Sequence, residues 1–354
     1  MKKLIALLLT LSMTLTLSVG LAGCSNSNNN DAPPPANGGT AAPEKKVTFK
    51  LSHYRADGSP ADIDLDNFSD RVAELTGDSL DVVVYPAAQL GDYTVVQEMV
   101  SVGDVEMQMA TLGTSVDKFF GIASAPYIAS NWDEAYKIFN ADSELTAMLE
   151  EHLAAQNIKM LAVYPLYFGG AILTKEPQGD PGNLDTYKGV KIRCQSMKAS
   201  EMVTTMLGYI ATPMALNDCF TSLQTGVIDG MIGSGAEGYY SNYRDLSNYY
   251  LPYNDHFEVW YLYVNQDKFD ALSPAQQEAM ITAAKEMEEA RWKVAPDQTK
   301  EYEKKLADNG TVIIDFTEEE LATFAQKCAD EIWPQLVDLY GQEAVDLVAK
   351  LRNS

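Results

Sequence analysis

Residues 274 to 308, PAQQEAMITAAKEMEEARWKVAPDQTKEYEKKLAD, read as one long helix. Pro274 suits its first turn, where a missing N–H is not needed, and Pro296 predicts a kink inside it. A helix of this length runs roughly 50 Å. That is longer than one small lobe is wide. The chain is therefore expected to build two lobes with this helix lying across both.

The residues before the helix supply the rest of an α/β body. Val47–Ser52 alternates apolar and polar residues as a strand does, and SLDVVVY (79–85) is an apolar strand of the parallel-sheet kind. Between them Ile63, Phe68, Val72 and Leu75 suggest a helical stripe ending at Gly77. DYTVVQEMVSVG reads as a helix and VEMQMATLG as a strand. A helix over 133–156 and a strand in IKMLAVYPLYFGG come next. Further on, VKIRC, VIDGMI, FEVWYLYVN and TVIIDF read as strands. SMKASEMVTTMLG and LNDCFTSLQTG read as helices, with Asn217 the expected cap of the second, and two helices close the chain. Strands alternating with helices define an α/β class.

The N-terminus is set apart. Lys2 and Lys3 precede an apolar run, Leu4 to Leu17, broken only by Ser and Thr, and Leu21-Ala22-Gly23-Cys24 supplies small residues for cleavage. Residues 1–23 therefore read as an export signal. LAGC resembles a bacterial lipobox, which implies that Cys24 becomes a lipidated first residue. Residues 24–46 are rich in Asn, Pro, Gly and Ser and cannot bury a core, so they read as a disordered tether. No later segment approaches the roughly 18 apolar residues of a membrane span.

Removing a signal with two lysines and no acid takes the net charge from −24 to −26. Such a surface repels nucleic acid and anionic lipid, and nucleic acid is not expected as a partner. Beyond Cys24, Cys194, Cys219 and Cys328 are odd in number and widely spaced, so no disulfide framework is implied. His53, His152 and His256 have no zinc-ligand spacing, and no cofactor or metal is expected.

The loudest motif is Gly233-Ser-Gly235-Ala-Glu-Gly238, a G-x-G-x-x-G directly after a strand, with Glu258 20 residues beyond Gly238. A dinucleotide fingerprint needs these glycines to open a packed helix. The succeeding YYSNYRDLSNYYLPYND carries no obvious 3.6-residue apolar stripe, so the fingerprint is rejected. The glycines are read as letting the backbone approach something closely. No P-loop, H-E-x-x-H or G-x-S-x-G occurs.

YKGVKIRCQS (187–196) is more informative. In a strand, Val190, Ile192 and Cys194 share one face and Lys191 and Arg193 the other. Arg193 falls at the strand's carboxyl end, where open α/β sheets bind ligands, and its fork suits a carboxylate. A solvated strand-end arginine is the competing reading from the residues alone.

Several stretches, in order, resemble one family: VYPAAQLGDYTVVQEMVSVGDVEMQMA (84–110), SAPYI (124–128), DTYKGVKIRCQS (185–196), LGYIATPMALNDCFTSLQTGVIDGMI (207–232) and NQDKFDALSPAQQEAM (265–280). They are similar to DctP-type solute-binding proteins of tripartite ATP-independent periplasmic (TRAP) transporters. The resemblance implies a periplasmic-binding-protein-like fold with crossing strands and a long lobe-spanning helix. It places 47–167 plus 258–298 in lobe I and 168–257 plus 299–354 in lobe II. It implies that Arg193 clamps a ligand carboxylate. A second arginine of sialic-acid binders would fall near Gly170. An asparagine common in the family is replaced by Gly233, with Ser234 beside it. Acidic positions fall near Tyr93 and Thr111, the latter next to Ala110, and an aromatic position near Leu216. The implied pocket is less polar than a sugar-acid pocket, so a monocarboxylate with an apolar or aromatic body is expected. Tyr167, Phe168, Trp260 and Tyr93 are candidate walls. The implied role is a lipid-anchored extracytoplasmic receptor that hands an organic acid to an ion-gradient-driven permease. An exported lipoprotein enzyme and a sensor ectodomain are the rivals.

Overall fold

The computed structural model describes residues 45–352. The export segment, Cys24 and all but the last two residues of the tether lie outside the described residues. Among the described residues there are eleven strands: β1 (Val47–Ser52), β2 (Leu80–Tyr85), β3 (Met107–Ala110), β4 (Ile158–Phe168), β5 (Gly170–Leu173), β6 (Lys191–Cys194), β7 (Ile210–Pro213), β8 (Gly230–Ser234), β9 (Tyr249–Leu251), β10 (Phe257–Asn265) and β11 (Val312–Ile313). They form two sheets, ordered β2-β1-β3-β10-β4 and β11-β9-β5-β8-β6-β7. In the first, β1 lies parallel to β2 and β3 while β10 runs antiparallel to β3 and β4. In the second, β6 is parallel to β7 and β8, and β5 is antiparallel to β8 and β9. The body is α/β with two lobes, one around each sheet.

Two stretches of chain cross between the sheets. β4 passes through Gly169 into β5, and the chain returns from β9 through residues 252–256 into β10. The crossings touch: the Gly169 N–H donates to the His256 carbonyl at 2.8 Å. A Cβ on Gly169 would stand 2.2 Å from the His256 ring, so only glycine lets the strands pass this closely.

The predicted long helix is present as Pro274–Asp308, unbroken through Pro296. Ser273 and Gln276 form a reciprocal capping box at its start, and Pro274 occupies its first turn. Met280, Ala283, Ala284 and Met287 pack into the core of the first sheet and Leu306 into a core of the second, so the helix spans both. Two charged residues near its middle bind it to the crossing strand. Glu288 accepts from the Val163 N–H at 2.9 Å and the Ala141 N–H at 3.2 Å, and Arg291 donates to the Pro165 carbonyl at 2.7 Å.

Several local expectations are corrected. In the Pro60–Thr76 helix, Leu65, Phe68 and Val72 carry the buried stripe, whereas Ile63 and Leu75 are exposed. The helix expected over 133–156 is two, Trp132–Phe139 and Glu144–Ala154. Asn140 ends the first in extended backbone, and the Ser143 side chain accepts from the Thr146 N–H to start the second. Asn217 is no cap: it sits inside a 3-10 turn, Leu216–Asp218, that runs directly into the Cys219–Gln224 helix. The chain end also reaches Gly121 and Glu144, both within residues 47–167. The Tyr340 ring covers Gly121, and Lys350 pairs with Glu144 at 2.6 Å.

Candidate functional site

β6 alternates as its sequence predicts. Ile192 and Cys194 enter one core, with Val190 ahead of them, and Arg193 faces the other way. At the carboxyl end of the strand, Arg193 is paired in register with Thr212 of β7 and Met231 of β8. Its side chain is neither solvated nor neutralised. It is 4% exposed; Nε donates to the Met214 carbonyl at 2.9 Å and Nη1 to the Ile232 carbonyl at 3.3 Å. Among the described residues no carboxylate lies within ion-pair distance of it. Two carbonyls fix its orientation without cancelling its charge. A buried cation in that condition is stabilised by an incoming anion, because desolvation has already been incurred in folding.

Gly233 and Ser234 come directly after Ile232. Gly233 has φ +103°, and a Cβ there would meet the Gln195 side chain at 2.9 Å. The Ser234 N–H donates to the Tyr239 hydroxyl, which itself donates to the Gly170 carbonyl at 2.8 Å. Ala236–Tyr243, beginning within the glycine motif, is helical, which corrects the sequence reading. Ala236, Tyr239 and Tyr243 form its buried stripe, with tyrosine supplying the apolar surface. The motif still makes no phosphate cradle. Gly235 lies against the Tyr167 ring and Gly238 against the Ser234 Oγ, so protein atoms occupy the space the glycines open.

Tyr93, Tyr167 and Trp260 gather at a second centre around two residues that sequence reasoning missed, Tyr54 and Arg55. Tyr54 stacks at a tilt on Trp260, with ring centroids 4.4 Å apart, and lies 5.7 Å from Tyr93. Arg55 donates from Nη2 to the Tyr167 hydroxyl at 3.0 Å and stands over the Trp260 ring at 5.3 Å. Burial, moderated by Arg55, pushes the Tyr167 phenol up to about 12, so it stays protonated. Trp260 is fully buried and donates to Glu258 at 2.9 Å, which makes it a support under Arg55 more than an open wall. The signal for Arg55 was available: it lies three residues beyond the carboxyl end of β1, in the region where open α/β sheets bind ligands.

The remaining candidates make no hydrogen bond or ring contact with Arg193 or Arg55 among the described residues. Ala110 is fully buried and pairs in register with Tyr261, leaving Thr111, half-buried, as the next residue beyond the strand. Leu216 is 52% exposed on its 3-10 turn. Phe168 points away from Tyr167, as neighbours on a strand must, and packs on Trp132 and Phe257 at 5.4 and 4.9 Å.

Phe168 instead lines a cleft of about 1060 Å³ between Trp132–Phe139, the crossing segment, the Pro296 region and Glu318–Glu331. The cleft is roomy, but its charge is wrong for an acid. Asp133, Glu134, Glu303, Asp315 and Glu318 line it, against Lys137 and Lys300. Burial, together with the nearby Asp315 charge, raises the Glu303 carboxyl to about 7. An organic anion is disfavoured there and favoured at Arg193.

Two sheets joined by crossing strands and one long helix define a two-lobed α/β fold, with a buried arginine at a strand end that no acid pairs. Comparison with known proteins gives the family. A profile described as "Bacterial extracellular solute-binding protein, family 7" (DctP) matches residues 51–337. The C4-dicarboxylate-binding periplasmic protein DctP of Rhodobacter capsulatus is 24% identical over 306 residues, covering 85% of this chain and 90% of that protein. A TRAP periplasmic solute-binding protein from Ochrobactrum anthropi, with its C-terminus bound in the ligand-binding pocket, superposes with a TM-score of 0.78 at 22% identity, covering 87% of this chain and 96% of that one. DctP7 of Bordetella pertussis, an extracytoplasmic receptor binding pyroglutamic acid, gives 0.71 at 22% identity over 86% of this chain and 99% of that one. The chain belongs to the DctP family of TRAP solute-binding proteins, which are extracytoplasmic receptors rather than enzymes. No helix among the described residues is long and apolar enough to cross a membrane.

Proposed function

We propose that this receptor binds a small organic acid carrying one carboxylate, clamped by Arg193, and delivers it to the permease of its transporter. The observation that supports this most is the charge balance. Arg193 is buried without an acid beside it, whereas Arg55 has Glu237 at 3.9 Å. One uncompensated cation suits one carboxylate. The half-buried Tyr54 and Tyr93 rings offer an aromatic surface for the rest of the ligand. Ser234 and Thr111 are the polar candidates on the sequence reading. Relatives named for C4-dicarboxylates and pyroglutamic acid support the acid class.

The two lobes pivot at the Gly169 and residues 252–256 crossings and close over the ligand, by an amount set by how much better the closed form binds it. Cys24, in the lipobox-like LAGC, carries the lipid that holds the receptor at the membrane.

Calorimetry against pyroglutamate, succinate, benzoate and phenylacetate tests the ligand class. Monocarboxylates binding and succinate failing is the expected pattern; succinate as the tightest ligand would overturn the one-carboxylate reading. The anchor is tested by Cys24→Ser, which should release the protein from the membrane fraction. Retention at the wild-type level would refute lipidation at Cys24.

A further inference from the structure

The glycine motif and Arg55 are the features that the ligand clamp leaves without a use. They meet each other. Arg55 lies just beyond β1 of the first sheet, and Glu237 lies in the first turn of the helix after β8 of the second. Their charged atoms are 3.9 Å apart, and both side chains are mostly shielded, 19% and 17% exposed. The same guanidinium bonds Tyr167 at 3.0 Å and lies over the Tyr167 and Trp260 rings at 5.8 and 5.3 Å. Its Nε is buried with no hydrogen-bond partner.

The glycines make the approach possible. A Cβ at Gly235 would stand 2.4 Å from the Tyr167 ring. One at Gly238 would stand 2.3 Å from the Ser234 Oγ and 3.9 Å from Arg55 Nη1. Backbone without side chains is what lets Glu237 sit over the arginine.

We infer that Arg55 is a positioning residue for ligand capture: with Glu237 it forms a bridge between the two sheets, seated on the Gly235–Gly238 turn, that holds the receptor closed. This rests on the reading that the lobes close over the acid. Arg55 acts on the closing equilibrium and Arg193 on the ligand itself. A bridge of this kind slows ligand departure more than it speeds arrival, since it forms only once the lobes meet.

The test is small-angle scattering of the ligand-free full chain, with circular dichroism to confirm folding. Glu237→Gln and Arg55→Gln should each enlarge the radius of gyration. The double variant should enlarge it no further than the larger single effect, because both remove one bridge. Arg55→Lys, which keeps the charge but loses the planar guanidinium that bonds Tyr167 through Nη2, should fall between wild type and Arg55→Gln. Scattering unchanged in both single variants, or additive expansion in the double, would overturn the bridge. If Arg55→Gln fails to fold, Glu237→Gln against wild type decides alone. None of these readouts contains ligand, so they stand apart from loss of binding on removal of Arg193. The bridge can fail with the clamp intact, and the reverse.

Discussion

Replacing Arg193 by methionine keeps most of the side-chain length and removes the charge. A charge-assisted hydrogen bond to a carboxylate contributes about 1.5–3 kcal/mol net. At 1.4 kcal/mol per decade, that is a loss of roughly 10- to 150-fold in affinity. The effect on folding works in two directions. The variant loses the bonds to the Met214 and Ile232 carbonyls, at 2.9 and 3.3 Å, which destabilises. It also removes a buried charge that no acid offsets, which stabilises. The two oppose, so the unfolding free energy of the ligand-free protein should change by less than about 1.5 kcal/mol. Titration calorimetry of whichever acid binds the wild type, with a thermal melt of each ligand-free protein, measures both. A dissociation constant within twofold of wild type in a folded variant would refute the reasoning. So would destabilisation of several kcal/mol, since it would make Arg193 a structural residue whose charge is already satisfied.

The packing sets three further outcomes. Glu303, raised by burial from its ordinary 4.5 to about 7, binds a proton more tightly in the folded than in the unfolded chain. Its contribution is therefore fully present below about pH 4.5 and lost as pH rises through 7. Melts across that range should show wild type losing stability with rising pH and Glu303→Gln losing less; identical slopes would contradict this. Gly169→Ala places a methyl 2.2 Å from the His256 ring, and denaturant melts should record a loss of about 1–3 kcal/mol. Ser273→Ala removes the side-chain half of the long helix's capping box and should cost about 1 kcal/mol in the same assay, with an unchanged midpoint counting against the cap's importance.

The fold was legible where a physical signal was local and strong. The 35-residue helix announced itself through Pro274, a long polar-apolar pattern and no glycine, and its length required two lobes. β1, β2 and β10 were legible from alternation or apolar runs. What escaped was set by tertiary context. β7 and β9 are three or four residues long and exist because neighbouring strands offer them hydrogen bonds. The Ala236–Tyr243 helix was missed because its buried stripe is tyrosine, which reads as polar in a pattern search yet buries like an apolar residue at Tyr239. Ile63 and Leu75 misled for the opposite reason: they are apolar at plausible spacing but turned outward. At the candidate site, alternation made the strand face of Arg193 legible, while its burial was not, since a solvated strand-end arginine fitted the residues as well. Nor was its lack of an acid partner, since that depends on residues brought close only by folding. Tyr167 and Phe168 are adjacent aromatics of equal standing in the sequence. The strand's alternation sends one toward Arg55 and the other into the cluster with Trp132.

The most direct measurement is a crystal structure of the receptor with its natural acid, recovered from the purified full chain and identified by mass spectrometry. A ligand carboxylate oxygen within about 3 Å of the Arg193 guanidinium, enclosed between the two sheets, is the predicted result. A carboxylate held by Arg55 instead, or a ligand seated in the acid-lined cleft beside Trp132 with Arg193 untouched, would contradict it.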